Sequence, residues 1–177
     1  MKIEKLTYLK RFSPDTELIK WGDLSEDDIR TLPAYWREAL SEPLASNRCK
    51  AVLAAWKNYD YQFESTRLYL TDNLLDIELI ERGRAFSLLY SIKNTLGGVA
   101  YYEGKNPLTK KIPVEIQPSW GMLPLSITKL YDGLHNGWCY FASQSNGLSP
   151  VEELFLLSDR DWGILNEIDL ASLPFKL

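Results

Sequence analysis

The residues with the most familiar chemistry are a histidine and its polar neighbours. His135 is the only histidine of the chain, with Asp132 before it and Ser143 and Ser145 after it. An acid, a histidine and a serine form the residue set of a nucleophilic hydrolase, in which the imidazole accepts the proton of the serine hydroxyl. Neither serine lies in the Gly-x-Ser-x-Gly string that marks one large class of such enzymes. We therefore predict no catalytic residue here and place His135 at a helix C-terminus, where a cation is favoured.

Metal-ligand patterns are equally weak. Acidic residues crowd positions 23–28, but their order differs from that of a calcium-binding EF-hand loop. Cys49 and Cys139 are far apart and outside any Cys-x-x-Cys spacing, which predicts two buried thiols. Gly97-Gly98 lies outside a phosphate-binding Gly-rich loop. The sequence predicts no metal and no cofactor, whereas a pair of carboxylates assembled from distant segments stays open.

Composition limits the classes of partner. The chain has 177 residues, 45% of them hydrophobic, and a formal net charge of −4. Nucleic-acid-binding domains carry a basic patch, so we expect no direct contact with nucleic acid. No apolar run approaches the roughly 20 residues that cross a bilayer, and the N-terminus lacks the apolar stretch of a signal peptide. We expect a cytoplasmic protein that does not contact the membrane.

The acidic cluster at 23–28 has a structural explanation as the start of a helix. Ser25 is a favourable N-cap, and Asp28 three residues later completes a capping box. Negative side chains in a first turn also interact favourably with the helix dipole. Pro33 predicts the start of a second helix. Residues 46–59 predict a third, capped by Ser46 or Asn47, because their apolar side chains recur at helical spacing.

Strands and helices alternate along the rest of the chain. Strands are predicted at 66–71, 99–102, 112–116, 138–141 and, in the tail, 163–168. Residues 84–96 predict a helix that ends at Gly97, whereas 74–83 fit a helix or a strand equally. Turn residues predict that 103–107 form a connection. The pattern predicts one α+β domain over residues 1–177, with a mixed or antiparallel sheet packed against helices.

The segment 123–157 has the clearest local signals. A helix is predicted from Pro124 to about Leu134, followed by a turn at Asn136-Gly137. After the strand 138–141, Ser149-Pro150 predicts the N-cap and first position of another helix. Glu152 and Glu153 then occupy the first turn of that helix.

This order of elements resembles the SUKH superfamily, the Smi/Knr-like proteins. The matching residues are Leu130-Tyr131, Asn136-Gly137-Trp138, Gly147-Leu148-Ser149-Pro150 and Val151-Glu152-Glu153-Leu154. Leu32-Pro33-Ala34-Tyr35-Trp36 is similar to the Leu-Pro helix start of the family. In each case Gly and Pro define turns, and aromatic side chains pack a helix on the sheet.

The resemblance implies a function. Many bacterial SUKH-like proteins are immunity proteins, which bind a cognate toxin in the cell that produces it. The resemblance thus implies a non-enzymatic protein that neutralises a toxin, one with a basic active-site face, through protein–protein interaction. Two alternatives stay open. One is a scaffold or regulatory adaptor on the same fold, and the other is a hydrolase with carboxylates from distant segments.

Candidate partner-binding residues follow from this interpretation. Acidic side chains at predicted helix starts face solvent, and aromatic side chains are frequent anchors of protein interfaces. The candidates are Glu26, Asp27, Asp28, Trp138, Glu152 and Glu153.

Overall fold

The computed structural model describes the backbone of residues 2–156 and the side chains of 4–59 and 63–156. The helices are α1 (Lys2–Lys10), α2 (Glu26–Arg30), α3 (Ala34–Ser41), α4 (Ala45–Lys57), α5 (Asp60–Asn73), α6 (Gln117–Trp120) and α7 (Leu125–Lys129). The strands are β1 (Glu17–Ile19), β2 (Leu74–Arg82), β3 (Ala85–Lys93), β4 (Val99–Lys105), β5 (Trp138–Tyr140) and β6 (Ser145–Leu148). The predicted α+β class is confirmed.

The six strands form one antiparallel sheet in chain order, β1-β2-β3-β4-β5-β6. A two-residue turn joins β2 to β3, with Arg82 paired to Ala85. Both turn residues have positive φ, 52° at Gly83 and 70° at Arg84, which is the backbone of a type I′ hairpin turn. Short connections join β2 to β3, β3 to β4 and β5 to β6, whereas residues 20–73, which contain α2 to α5, separate β1 from β2, and residues 106–137 separate β4 from β5.

One face of the sheet packs against α3 and α4. Alternate strand residues point to this face, because successive side chains of a strand lie on opposite sides. The helices contribute Trp36, Val52 and Trp56 to the core, and the strands contribute Ile77, Leu79, Leu88, Tyr90 and Ile92. Both tryptophans are at most 1% exposed, so this face holds the larger apolar core.

The opposite face is covered by α1 over part of its length. Leu9 is fully buried against Ile80, Leu89, Tyr101 and Phe141. The ammonium of Lys5 bonds to Glu78 and lies 3.1 Å from Ser91 Oγ. Beyond α1, the end of this face toward the β2–β3 turn carries polar side chains instead.

Two predicted elements have the wrong type. Residues 66–71, predicted as a strand, lie inside α5, and 84–96, predicted as a helix, contain β3. In both segments the local pattern of polar and apolar residues predicts the wrong type of element. The alternating side chains of 66–71 fit the mixed exposure of a surface helix, whereas β3 is buried on both faces and therefore lacks strict alternation. The open segment 74–83 is a strand, β2.

Four smaller predictions also need correction. Residues 112–116 form turns instead of a strand, and residues 103–105 extend β4. The helix over 46–59 is confirmed as α4, but Leu44 occupies the N-cap position. The helix predicted after Ser149 is one 3-10 turn, Val151–Glu153, with Pro150 in the N-cap position. The predicted strand at 163–168 lies outside the described residues.

Candidate functional site

The acidic start of α2 has the predicted capping box. The Ser25 hydroxyl accepts a hydrogen bond from the Asp28 backbone N–H at 3.1 Å, and the Asp28 carboxylate accepts from the Ser25 N–H at 3.1 Å. Glu26 and Asp27 point outward, with side chains 90% and 92% exposed. Their nearest cation, Arg30, lies 3.5 and 3.4 Å away and is itself 71% exposed. Asp28 thus stabilises the helix, while Glu26 and Asp27 face solvent.

Glu152 is held by the chain itself. Its two carboxylate oxygens accept from the Asn136 side-chain amide at 2.7 Å and from the Lys111 backbone N–H at 2.6 Å. The side-chain oxygen of Asn136, Oδ1, accepts a hydrogen bond from the Val151 backbone N–H at 2.9 Å. Asn136 therefore connects the 3-10 turn to the loop before β5. Sequence analysis took Asn136 only as a turn former, and its side-chain role depends on tertiary contacts.

Glu153 and Trp138 also contact other parts of the protein. Glu153 forms an ion pair with Lys105 at 3.2 Å. Trp138 stacks on Tyr102, with ring centroids 4.4 Å apart, and meets Trp56 edge-on at 5.5 Å. Its indole N–H is buried and has no hydrogen-bond partner within the described chain. Trp138 is half-buried, so it contributes mainly to packing β5 onto the helices.

The six candidate residues are therefore in different environments. Glu152 and Glu153 lie next to the end of β4 through their bonds to Asn136 and Lys105. A side-chain hydrogen bond of 2.9 Å from Asn106 to the Thr31 carbonyl connects the same end of β4 to the residue after α2. Trp138 lies apart, in the apolar core. A role of the six in partner binding stays a prediction.

A polar cleft of about 330 Å³ lies at the uncovered end of the α1 face. Its lining includes side chains from β2, β3 and β4, from the loop before β5 and from the 3-10 turn: Arg82, Ser87, Glu103, Lys105, Asn136 and Glu152. The strand register explains this grouping, because Ser87 is paired with Lys105 and Arg82 with Ala85 two residues away on β3. The cleft also includes Ser13 and Asp15, so it collects residues from segments that are far apart in sequence, from Ser13 to Glu152.

A buried ion pair forms one wall of the cleft. Glu103 is 0% exposed, and both of its oxygens accept from Arg82 Nη2, at 2.7 and 2.6 Å. The Gln144 side-chain amide donates a further bond at 3.1 Å. The guanidinium also lies over the Phe141 ring at 5.6 Å. Burying a carboxylate is costly unless it is paired and hydrogen-bonded, and these contacts satisfy that requirement.

Sequence analysis missed this pair. It assigned Glu103 to a connection and gave Arg82 no role. The two residues lie on strands that are not adjacent, so only the complete β2–β3–β4 register brings them together. The cleft also contains three carboxylates from distant segments, those of Asp15, Glu103 and Glu152. Glu103 and Glu152 already accept hydrogen bonds from the protein on both oxygens, and a hydrolase with carboxylates from distant segments stays an untested alternative.

His135 lies on the other face of the sheet, in a buried polar network. The Trp56 indole N–H donates to the Tyr90 hydroxyl at 3.1 Å, and that hydroxyl lies 2.5 Å from His135 Nε2. Because an indole can only donate, the Tyr90 hydroxyl accepts from Trp56. The same hydroxyl is within hydrogen-bond distance of His135 Nε2, and His135 Nδ1 lies 3.5 Å from the Tyr35 hydroxyl.

The environment of His135 makes the ring neutral. The residue is 0% exposed, and burial lowers the pKa of its imidazole to about 3, although a hydrogen bond to the Lys105 backbone opposes that change. It ends the π-helix Leu130–Leu134, as the predicted position at a helix C-terminus requires. The predicted stabilisation of the helix C-terminus by a positively charged His135 is wrong, because the buried ring carries no charge at neutral pH.

The two cysteines, possible metal ligands and possible membrane-spanning helices were the other features to locate in the structure. Cys49 and Cys139 are free and buried, as predicted, and burial raises the pKa of each thiol to about 11. Among the side chains of residues 4–59 and 63–156, no group of three or more His, Cys, Asp or Glu is arranged to hold a metal ion. Every helix between residues 2 and 156 falls short of the length and apolar character needed to span a bilayer.

Comparison with known proteins does not extend the resemblance. No protein-family model matches the chain, and no curated protein or solved structure is similar to it at a significant level. The relation to the SUKH superfamily therefore stays a hypothesis that depends on the short motifs of segments 32–36 and 123–157.

Proposed function

We propose that this protein binds another protein and that its partner is a toxin domain, which it neutralises. The observation that carries the proposal is the start of α2. Glu26 and Asp27 project from a capped helix, and among the residues that the structure describes their one counter-ion is Arg30, which is itself 71% exposed. An acidic projection of this kind is complementary to a basic surface. The motif resemblance to SUKH immunity proteins supplies the class of partner.

The segments before and after α2 hold Glu26 and Asp27 in one position. Leu24, immediately before the N-cap, packs against the larger core, and so does Trp21 of the preceding 3-10 turn. Leu32, just after α2, is 1% exposed. Apolar residues thus anchor α2 at both ends, so little conformational freedom of the acidic residues is lost on binding.

Neutralisation would require no reaction by this protein. Occupying the basic active-site face of a toxin is sufficient to exclude its substrate. Exposed charges contribute more to the rate of association and to partner choice than to affinity. We therefore expect association that slows as ionic strength rises, because salt screens exposed charges.

Co-expression with the candidate toxin tests the proposal. The candidate is the C-terminal domain of the protein encoded by the adjacent gene, produced in a bacterial host with and without this chain. We expect the domain alone to arrest growth and the co-expressed chain to restore it. The double variant Glu26→Lys, Asp27→Lys should bind the purified domain with an association rate at least tenfold lower at low salt.

A matched charge reversal separates a local effect from a global one. The double variant Glu64→Lys, Asp72→Lys makes the same change of charge at two exposed residues of α5 and should leave the association rate within twofold of the unmodified chain. Equal effects of the two charge reversals would refute the role of α2. A neighbouring product that is not toxic, combined with capture of an endogenous regulatory protein, would favour the adaptor alternative.

A further inference from the structure

The polar cleft has hydrogen-bonding groups that the protein leaves free. Arg82 uses only Nη2 in its ion pair with Glu103. Nε and Nη1 of Arg82 make no hydrogen bond to any residue that the structure describes, and neither does the hydroxyl of Ser87. Lys105 makes one such bond through its ammonium, at 3.2 Å to Glu153, and retains two further N–H groups.

These three side chains face one volume. Arg82, Ser87 and Lys105 lie on the same face of three consecutive strands, and Ser87 is directly paired with Lys105. All three line the cleft of about 330 Å³. Their free groups include the N–H donors of a guanidinium and an ammonium, together with a hydroxyl. A group bound between them must therefore accept hydrogen bonds, as a carboxylate does.

The cleft also restricts the total charge of its ligand. Its lining carries two cations, Arg82 and Lys105, and three carboxylates, Asp15, Glu103 and Glu152. An anion alone would face a net formal charge of −1. Glu103 and Glu152 already accept from the protein on both oxygens. Asp15 accepts one bond, from Ser13 at 2.8 Å to Oδ1, and its Oδ2 has no donor among the described residues.

We propose that the cleft binds a small zwitterion of the α-amino acid class. Its carboxylate would lie between Arg82, Ser87 and Lys105, and its ammonium would pair with Asp15. The volume is at the small end of ligand sites, which suits a molecule of this size. The buried Glu103 serves as a positioning residue, because it fixes the guanidinium at the wall of the cleft. This proposal does not depend on the toxin partner, although Glu152, one of the candidate partner-binding residues, also lines the cleft.

Thermal unfolding with each of the twenty L-amino acids tests the proposal. The full chain is heated with 10 mM of each compound, and sodium chloride at matched ionic strength is the reference. A ligand present at about ten times its Kd raises the Tm of a domain this size by about 3–6 °C. We expect a rise in this range for at least one amino acid. No rise above 1 °C with any of the twenty would overturn the proposal.

Blocked forms of the best amino acid test the two charges separately. The N-acetyl form lacks the ammonium, and the amide form lacks the carboxylate. Isothermal titration calorimetry should give a Kd at least tenfold higher for each blocked form. If the N-acetyl form binds as tightly as the free amino acid, the pairing with Asp15 is wrong. If the amide form does, the carboxylate site is wrong.

Variants that preserve the buried ion pair locate the site. Lys105→Met and Asp15→Asn should each raise the Kd at least tenfold, and both alter side chains at the rim without removing the partner of Glu103. Lys93→Met, at the opposite end of β3 and exposed, is the matched control and should change the Kd less than twofold. Binding that is unaffected by both rim variants would show a site elsewhere on the protein.

Discussion

At the scale of single residues, His135 shows how strongly environment changes chemical character. Sequence position predicts a cation at a helix end, whereas the folded chain surrounds the ring with Trp36, Trp56, Tyr35 and Tyr90. The ring is hydrogen-bonded to the Tyr90 hydroxyl through Nε2 and is closed off from water. It therefore acts as a neutral connector between the sheet and the helices, and its protonation opposes folding.

Acid should destabilise the protein through His135. The unfolded ring has an ordinary pKa of 6.5, whereas the pKa of the folded ring is about 3. As pH falls below 6.5, the unfolded chain binds a proton that the folded chain does not bind, so the folded state loses free energy relative to the unfolded state. We expect His135 to lower the free energy of unfolding by about 2–3 kcal/mol between pH 7 and pH 4.5.

Proton NMR and urea unfolding check this expectation. His135 is the single histidine of the chain, so its Hε1 signal is assigned without ambiguity, and the chemical shift of this signal should stay constant from pH 7 to pH 4.5. His135→Gln removes this titration, so it should reduce the pH dependence of the unfolding free energy by the amount given above. The other titratable groups of the chain account for the pH dependence that remains. A titration midpoint near 6.5 in the folded chain would contradict the buried, neutral assignment.

At the scale of elements, β4 and the loop after the π-helix are in unusually close contact. Gly104 lies directly against the His135 ring, and a Cβ at this position would overlap the ring far inside van der Waals contact. The strand can therefore pass the histidine only where it has no side chain. Gly104 faces the helices, in register with Trp138 on β5.

Gly104→Ala should destabilise the fold by about 1–3 kcal/mol, the usual cost of adding a methyl group to a packed core. Urea unfolding measures the change. Gly22→Ala is the control, because a Cβ at Gly22 meets no atom within 4 Å, and its effect should stay within about 0.5 kcal/mol. Similar unfolding free energies for the two variants would show that the ring can move away without cost.

At the scale of the whole molecule, the sheet separates two apolar cores of unequal size. The helical face contains Trp36 and Trp56, whereas the α1 face has a smaller core around Leu9. Strands β2 and β3 contribute side chains to both. Loss of either core should therefore remove support from the strands that both cores share.

Leu9→Ala should test whether the two cores unfold together. Truncation of a fully buried leucine costs about 2–4 kcal/mol. Tryptophan fluorescence reports mainly on the helical face, and far-UV circular dichroism reports on all elements. We expect both signals to shift to the same lower urea midpoint. Leu96→Ala, at a side chain that is 94% exposed, should leave the midpoint unchanged, and a shift in only one signal would indicate independent cores.

Local sequence determined those features that depend on neighbouring residues alone. The capping box of Ser25 and Asp28, the helix at Ala45–Lys57 and the turn at Gly137, whose φ is 82°, follow from side chains within a few positions. The α+β class follows from the number and order of such signals. The capping box and the helix require no knowledge of distant contacts, because their hydrogen bonds close within one turn of chain, and the turn needs only the positive φ that glycine permits.

Only the tertiary structure decided which residues meet. The register of β2, β3 and β4 places Arg82 beside Glu103 and groups the lining of the polar cleft, and burial turns His135 from an expected cation into a neutral ring. The type of β3 also depended on packing, because a strand buried on both faces has no local alternation. Local patterns do not encode long-range pairing, and both the charge of a buried group and the composition of a cleft depend on that pairing.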